Sequence, residues 1–240
     1  MMRAFQEFQT LAEKCDTIDE LFGLWKEAQI NDPYYPQDSH PQVPIYSFHA
    51  DGIVDFDESN YWNANPRVLF LLKEPNVMVS DYTPTENSSA VDWVRERYCQ
   101  SDSKHKMCTV IAKIYAEVFQ GKKMDVPESL KQIAYMNLNK RGGDSRAKRY
   151  LLNYVQHYQA YIRREIELLS PEYVVVGGEG LLSSLKKFVC PGLENAPIGI
   201  SSGHFLVDPE HNIRYFDTYH FSRPNYQLTM ERFLELRRLG

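Results

Sequence analysis

Residues 67–76 read RVLFLLKEPN, and the fold turns on them. From Val68 to Leu72 every side chain is apolar. A run that is too short for a helix and does not alternate suits a strand buried on both faces, at the centre of a parallel sheet. Lys73, Glu74, Pro75 and Asn76 end it in turn chemistry, because Pro75 has no backbone donor and restricts the residue before it. Two further runs have the same character: IAYMNL at 133–138 and YVVV at 173–176. The first is closed by NKRGG at 139–143 and the second by GGEG at 177–180. Segments 204–207 and 213–218 read as two more strands, with 191–203 a loop before them.

The intervening stretches have helical periodicity. Residues 3–30 predict one or two helices, with Leu11, Leu21, Phe22 and Trp25 at helix-like spacings. Asp16 or Thr17 caps the second, and Glu20 stands three residues after Thr17, as in a capping box. Residues 31–44, NDPYYPQDSHPQVP, hold four prolines and predict a loop. Further helices are expected at 89–99, 107–119, just after Pro127, at 145–169 up to Ser170-Pro171, at 181–188 and at 226–238. Strands alternating with helices imply a three-layer α/β/α sandwich around a central, mostly parallel sheet of four or five strands. The expected organisation is one domain over 1–240, with N-terminal helices and a proline-rich loop in 1–60 preceding a core at 66–238.

Composition narrows the function classes. Hydrophobic residues are 43% and charged residues 25% of the 240, ordinary globular usage. No apolar run approaches the roughly 20 residues of a membrane span, and the first residues hold acids instead of an apolar signal core, so a cytoplasmic protein is expected. The scattered cysteines Cys15, Cys99, Cys108 and Cys190 form no CxxC pair and are expected as free thiols. Cys99, His105 and Cys108, and likewise His204 and His211, lack the tight paired spacing of zinc ligands, so no metal is expected. The net charge of -5 argues against a general polyanion binder, although local basic patches can still carry nucleic-acid binding.

In an open parallel sheet, ligands bind beyond the carboxyl ends of the strands. The residues there are Glu74, Asn137 or Asn139, Gly178 and His220. Four segments, LFLLKEPN at 69–76, IAYMNLNK at 133–140, YVVVGGEG at 173–180 and YFDTYHFS at 215–222, resemble in order and spacing the strand-end motifs of the uracil-DNA glycosylase superfamily. The resemblance covers about residues 66–238 and implies that superfamily's fold. It implies Glu74 as the acid that positions water, His220 as the donor to the departing base, Asn137 as the reader of the base, and Pro75, Asn76 and Ser222 around the substrate. The chain departs from the pattern at Leu72, where the family has glycine, at Asn76, where it has a thymine-excluding tyrosine, and at Phe221, where it has proline. The family's wedge leucine falls on Pro224 or has no counterpart.

The chemistry is coherent on its own terms. Cleaving an N-glycosidic bond builds positive charge on the sugar and negative charge on the base. A carboxylate orients water and stabilises the cation, and a neutral imidazole donates to the developing anion. An amide reads a base edge by matched donor and acceptor. No cofactor is needed. Lys140, Arg141, Arg146, Lys148 and Arg149, with Arg163 and Arg164, crowd the turn and helix after the second strand and are candidate contacts to a nucleic-acid backbone. The expected partner is DNA or another nucleobase-containing ligand.

Plainer readings stand beside these. Glu74 ends a strand, Asn137 bonds backbone, His220 is a satisfied core histidine, and the basic stretch is a solvated helix face. GGEG lacks the full dinucleotide fingerprint. Three functions follow for test: a DNA glycosylase, a non-catalytic module that binds a base or nucleic acid, and a hydrolase of a small nucleoside or related metabolite.

Overall fold

A computed structural model describes residues 5–75, 89–99, 105–143, 149–195, 204–222 and 231. In chain order the helices are α1 (Phe5–Ala12), α2 (Ile18–Ile30), α3 (Ser59–Trp62), α4 (Ala90–Val94), α5 (Lys106–Lys113), α6 (Val126–Lys131), α7 (Arg149–His157), α8 (Gln159–Leu169) and α9 (Leu181–Ser184). α4, α5 and α9 run on into π-helical segments at Arg95–Cys99, Ile114–Phe119 and Leu185–Val189. The strands are β1 (Gly52–Ile53), β2 (Val68–Leu72), β3 (Ile133–Asn137), β4 (Tyr173–Gly177), β5 (Glu194–Asn195), β6 (Phe205–Asp208) and β7 (Ile213–Thr218).

The apolar run at 68–72 does lie in the sheet's interior. The strands form one sheet in the order β1-β3-β2-β4-β7-β6-β5. Its centre, β3-β2-β4-β7, is parallel, whereas β1 and the β6–β5 pair run antiparallel at the two edges. All five expected strands are present, but among the described residues the sheet has seven. The two additions, β1 and β5, are two residues long, too short for any periodicity to mark.

Burial on both faces follows from the pleat. Leu69, Leu71, Ala134, Met136, Val174 and Val176 join residues of α1, α2, α7, α8 and α9 in one apolar cluster. Val68, Phe70, Leu72, Ile133, Tyr135 and Val175 join α5, α6 and the adjoining π-helical segment in the other. The N-terminal helices belong to the first cluster. Trp25 of α2 is fully buried and stacks on Tyr154, Tyr158 and Tyr161 at 6.4, 6.1 and 5.2 Å. Thr17, not Asp16, caps α2, its Oγ1 accepting the Glu20 N–H at 3.2 Å. Glu20 returns the bond to the Asp16 N–H at 2.9 Å.

The helix expected at 145–169 bends. Tyr158 leaves helical geometry between α7 and α8, although its N–H still reaches the Tyr154 carbonyl at 2.9 Å. Its hydroxyl is drawn inward, donating to Asp32 Oδ2 at 2.6 Å. The helix expected at 226–238 lies outside the described residues. Among the described residues no helix is long and apolar enough to cross a membrane.

Candidate functional site

The register of the parallel strands aligns their carboxyl ends. Leu72 pairs with Asn137, Leu71 with Val176, and Gly177 with Thr218. Glu74, Asn137, Gly178 and His220 therefore share one edge of the sheet. Glu74 and Asn137 end neighbouring strands, about 4.8 Å apart, whereas His220 ends a strand two places from β2, roughly 10 Å away. Alternation puts Asn137 on the side of Ile133 and Tyr135, facing α5 and α6. The Glu74 carboxylate is held on the α7 side instead. A ligand touching both would lie across the rim of the sheet.

Pairing between β2 and β3 continues past both strands. The Leu138 and Asn139 N–H groups donate to the Leu72 and Lys73 carbonyls, each at 2.9 Å, and the Gly143 N–H donates to the Pro75 carbonyl at 3.0 Å. This ladder folds the NKRGG turn over Glu74, whose side chain is fully enclosed. Glu74 Oε1 accepts from Lys73 Nζ and from the Tyr150 hydroxyl, both at 3.3 Å. Its other oxygen, Oε2, is buried and has no partner among the described residues. Burial pushes the Glu74 carboxyl above its ordinary range, and Lys73, Tyr150 and the Asn139 amide pull part of the way back.

Asn137 is 1% exposed, and among the described residues neither Oδ1 nor Nδ2 has a hydrogen-bond partner. Its backbone N–H donates to Asp51 Oδ2 at 2.6 Å. The backbone-bonding alternative falls instead to Asn139, whose Oδ1 accepts from the Arg141 N–H at 2.9 Å and whose Nδ2 donates to the Gly142 carbonyl at 3.3 Å. Leaving both ends of a buried amide unpaired costs about 1–3 kcal/mol per group, so Asn137 is not explained by packing.

His220 is half-buried, with Nδ1 2.8 Å from Ser222 Oγ and accepting the Ser222 N–H at 3.3 Å. Phe221, the residue that departs from the family pattern, is buried and meets Phe70 edge-to-face at 5.6 Å. Its ring crosses Gly177 so closely that no Cβ fits there. The first glycine of GGEG thus seats the Phe221 ring, which anchors the chain next to His220. Pro75 is half-buried, Ser222 is exposed, and Asn76 lies outside the described residues.

The basic stretch needs correction. Lys140 and Arg141 are fully buried and are not surface contacts for a nucleic-acid backbone. Lys140 Nζ sits between Asp51 Oδ1 and Glu165, at 2.5 and 2.8 Å. Arg141 reaches Asp38 at 2.8 Å, Asp32 at 3.0 Å and the Tyr158 hydroxyl at 3.2 Å. A charge placed inside must be paired, and the loop at 31–51 supplies Asp32, Asp38 and Asp51 while α8 supplies Glu165. Arg163 and Arg164 are half-buried and donate to the Val189 and Cys15 carbonyls. Arg149 is exposed, and Arg146 and Lys148 lie outside the described residues.

Sequence reasoning missed Tyr150 and Gly143, which wall Glu74. No periodicity marks either, since they meet the carboxylate only through the tertiary fold. The cysteines are free thiols, and among the described residues no group of three or more His, Cys, Asp or Glu is arranged to hold a metal ion. No protein-family model and no curated protein matches the chain.

Proposed function

We propose that the carboxyl edge of the parallel sheet binds a nucleobase-containing substrate and hydrolyses its N-glycosidic bond, as in the uracil-DNA glycosylase superfamily that the strand-end motifs resemble. One observation carries the reading. At the ends of two adjacent strands, a buried carboxylate and a buried amide keep polar atoms that the protein itself leaves unsatisfied. Buried polar groups are otherwise paired, and the exceptions concentrate where a water or ligand supplies the partner.

In this reading Glu74 Oε2 accepts a hydrogen bond from the attacking water, and the carboxylate stabilises the cationic sugar. The C–N bond breaks with its electron pair passing to the base, and the water oxygen forms the new C–O bond at the sugar carbon. The proton that the water sheds passes by way of Glu74 to solvent, while the departed base takes up a proton. His220 donates from Nε2, because Nδ1 already accepts from Ser222 and the neutral ring keeps its proton on the other nitrogen. Asn137 offers its donor and acceptor to the base edge. Glu74 must be ionised, so turnover rises with pH through its raised pKa and is lost below it.

A second reading, hydrolysis of a small nucleoside, is favoured by the burial of Lys140 and Arg141, which removes two of the cations expected to bind a polymer backbone. One assay separates the two. The full chain is incubated with single-stranded and duplex oligonucleotides containing deoxyuridine or mismatches, and with free nucleosides. Abasic sites are read by alkaline strand cleavage and released base by chromatography. Release from oligonucleotides that falls steeply with salt supports the DNA reading, and release from free nucleosides alone supports the second. Glu74→Gln should lower turnover at least a hundredfold while the protein stays folded. Undiminished turnover in that variant removes the mechanism, and binding without product in the wild type leaves a binding module.

A further inference from the structure

We infer that Tyr150 is a positioning residue which, with Lys73, holds one oxygen of the Glu74 carboxylate and keeps the other free to act; the chemistry rests on the glycosidase reading, the contact on geometry alone.

Both donors converge on the same atom. The Tyr150 hydroxyl and Lys73 Nζ each lie 3.3 Å from Glu74 Oε1, while Oε2 is enclosed and unpartnered. A carboxylate bound through both oxygens would be a structural ion pair. One tethered through a single oxygen is oriented and still has an acceptor to offer. The surrounding residues make this arrangement possible. A Cβ at Gly143 would stand 2.7 Å from Glu74 Cδ and 2.9 Å from the Tyr150 hydroxyl, so only glycine lets acid and phenol meet. The Gly143 N–H, bonded to the Pro75 carbonyl at 3.0 Å, fixes the turn in that place. Tyr150, near the start of α7, is 8% exposed, and His40 packs edge-on against its ring at 5.9 Å.

The groups facing the carboxylate are thus Lys73 from its own turn, Asn139 and Gly143 from the turn after β3, and Tyr150 from α7, with His40 behind the phenol ring. Tyr150 is a neutral donor. It steers the carboxylate without cancelling its charge, as a second cation would. Removing it takes away a bond that favours the ionised acid.

Tyr150→Phe keeps the ring and deletes the donor. The readout is the carboxyl titration of Glu74 in full-length protein carrying 13C-labelled glutamate, its resonance assigned by its loss in Glu74→Gln. It is measured alongside the pH profile of N-glycoside turnover. The expected result is an upward shift of the Glu74 titration, an acid limb that moves with it, and a fall in kcat of about tenfold on that limb with KM unchanged. A Glu74 titration that stays put overturns the inference, whether or not turnover falls. If the titration moves but the wild type cleaves no N-glycoside, the glycosidase reading fails and the positioning role stands. Should Tyr150→Phe not fold, Gly143→Ala, which pushes a methyl group against the carboxylate, is read in the same two ways and must move the titration.

Discussion

Two buried polar regions meet at the end of β3, where Asn137 precedes Lys140 by three residues, and they are built on opposite principles. At Lys140 and Arg141 charge is answered by charge. The ammonium lies between Asp51 and Glu165, and both terminal guanidinium nitrogens meet carboxylates, Nε alone lacking a partner. At Glu74 and Asn137 the protein buries an acid and an amide and, among the described residues, leaves Glu74 Oε2 and both ends of the Asn137 amide without a partner. The first arrangement is what a fold does to hold itself together. The second leaves buried polar atoms unpaired, which is unfavourable for folding. Buried charges met by opposite charges are structural, and a buried acid and amide left without partners are candidates for function.

The contrast can be broken most forcefully at Arg141. Arg141→Met leaves Asp32 and Asp38 buried without their cation and should cost about 3–5 kcal/mol in urea unfolding. A loss below about 1 kcal/mol would mean that the paired region is not what ties the loop at 31–51 to the core.

Acid should test the same clamp next. Burial alone would raise Asp38, yet His157, Arg141 and Ser39 bring it down from 3.8 to about 2. A depressed carboxylate contributes stability that is present above its unfolded pKa and is lost as pH falls through the folded one. Stability should therefore drop between about pH 4 and pH 2 by on the order of 2 kcal/mol, and Asp38→Asn should flatten that limb. An equally steep limb in the variant would assign the acid sensitivity elsewhere.

Smaller effects of opposite sign are expected on the unsatisfied side. The folded protein holds the Glu74 proton more tightly than the unfolded chain, so stability falls as pH rises from the ordinary carboxyl range through the raised pKa. At neutral pH Glu74→Gln should therefore raise the free energy of urea unfolding by up to about 1 kcal/mol, while turnover collapses. Asn137→Leu, similar in volume and free of unpaired polar atoms, should be neutral or stabilising by about 1 kcal/mol while base binding is lost. If both substitutions destabilise, Glu74 and Asn137 are satisfied after all, and the contrast disappears.

The sheet was legible because strands buried on both faces must be apolar along their length, and 68–72, 133–136 and 173–176 are. The edge strands were not, since two residues leave no pattern. The strand-end residues were legible too, because parallel topology sends the carboxyl ends of β2, β3, β4 and β7 to one side. The basic stretch misled because charge in a sequence says nothing of burial. Arg141 goes inside only because Asp32 and Asp38, 109 and 103 residues away, are there to receive it.

What the chain determined by itself, then, is the alternation of apolar runs and turns, and with it which residues stand at the sheet's carboxyl edge. Only the tertiary structure decided which polar groups are answered. Tyr150 reaches Glu74 across 76 residues, and the carboxylates of the N-terminal loop reach Lys140 and Arg141. The reason is physical. Strand formation depends on neighbours in sequence and the pleat, whereas satisfying a buried charge or amide depends on partners that only packing brings near.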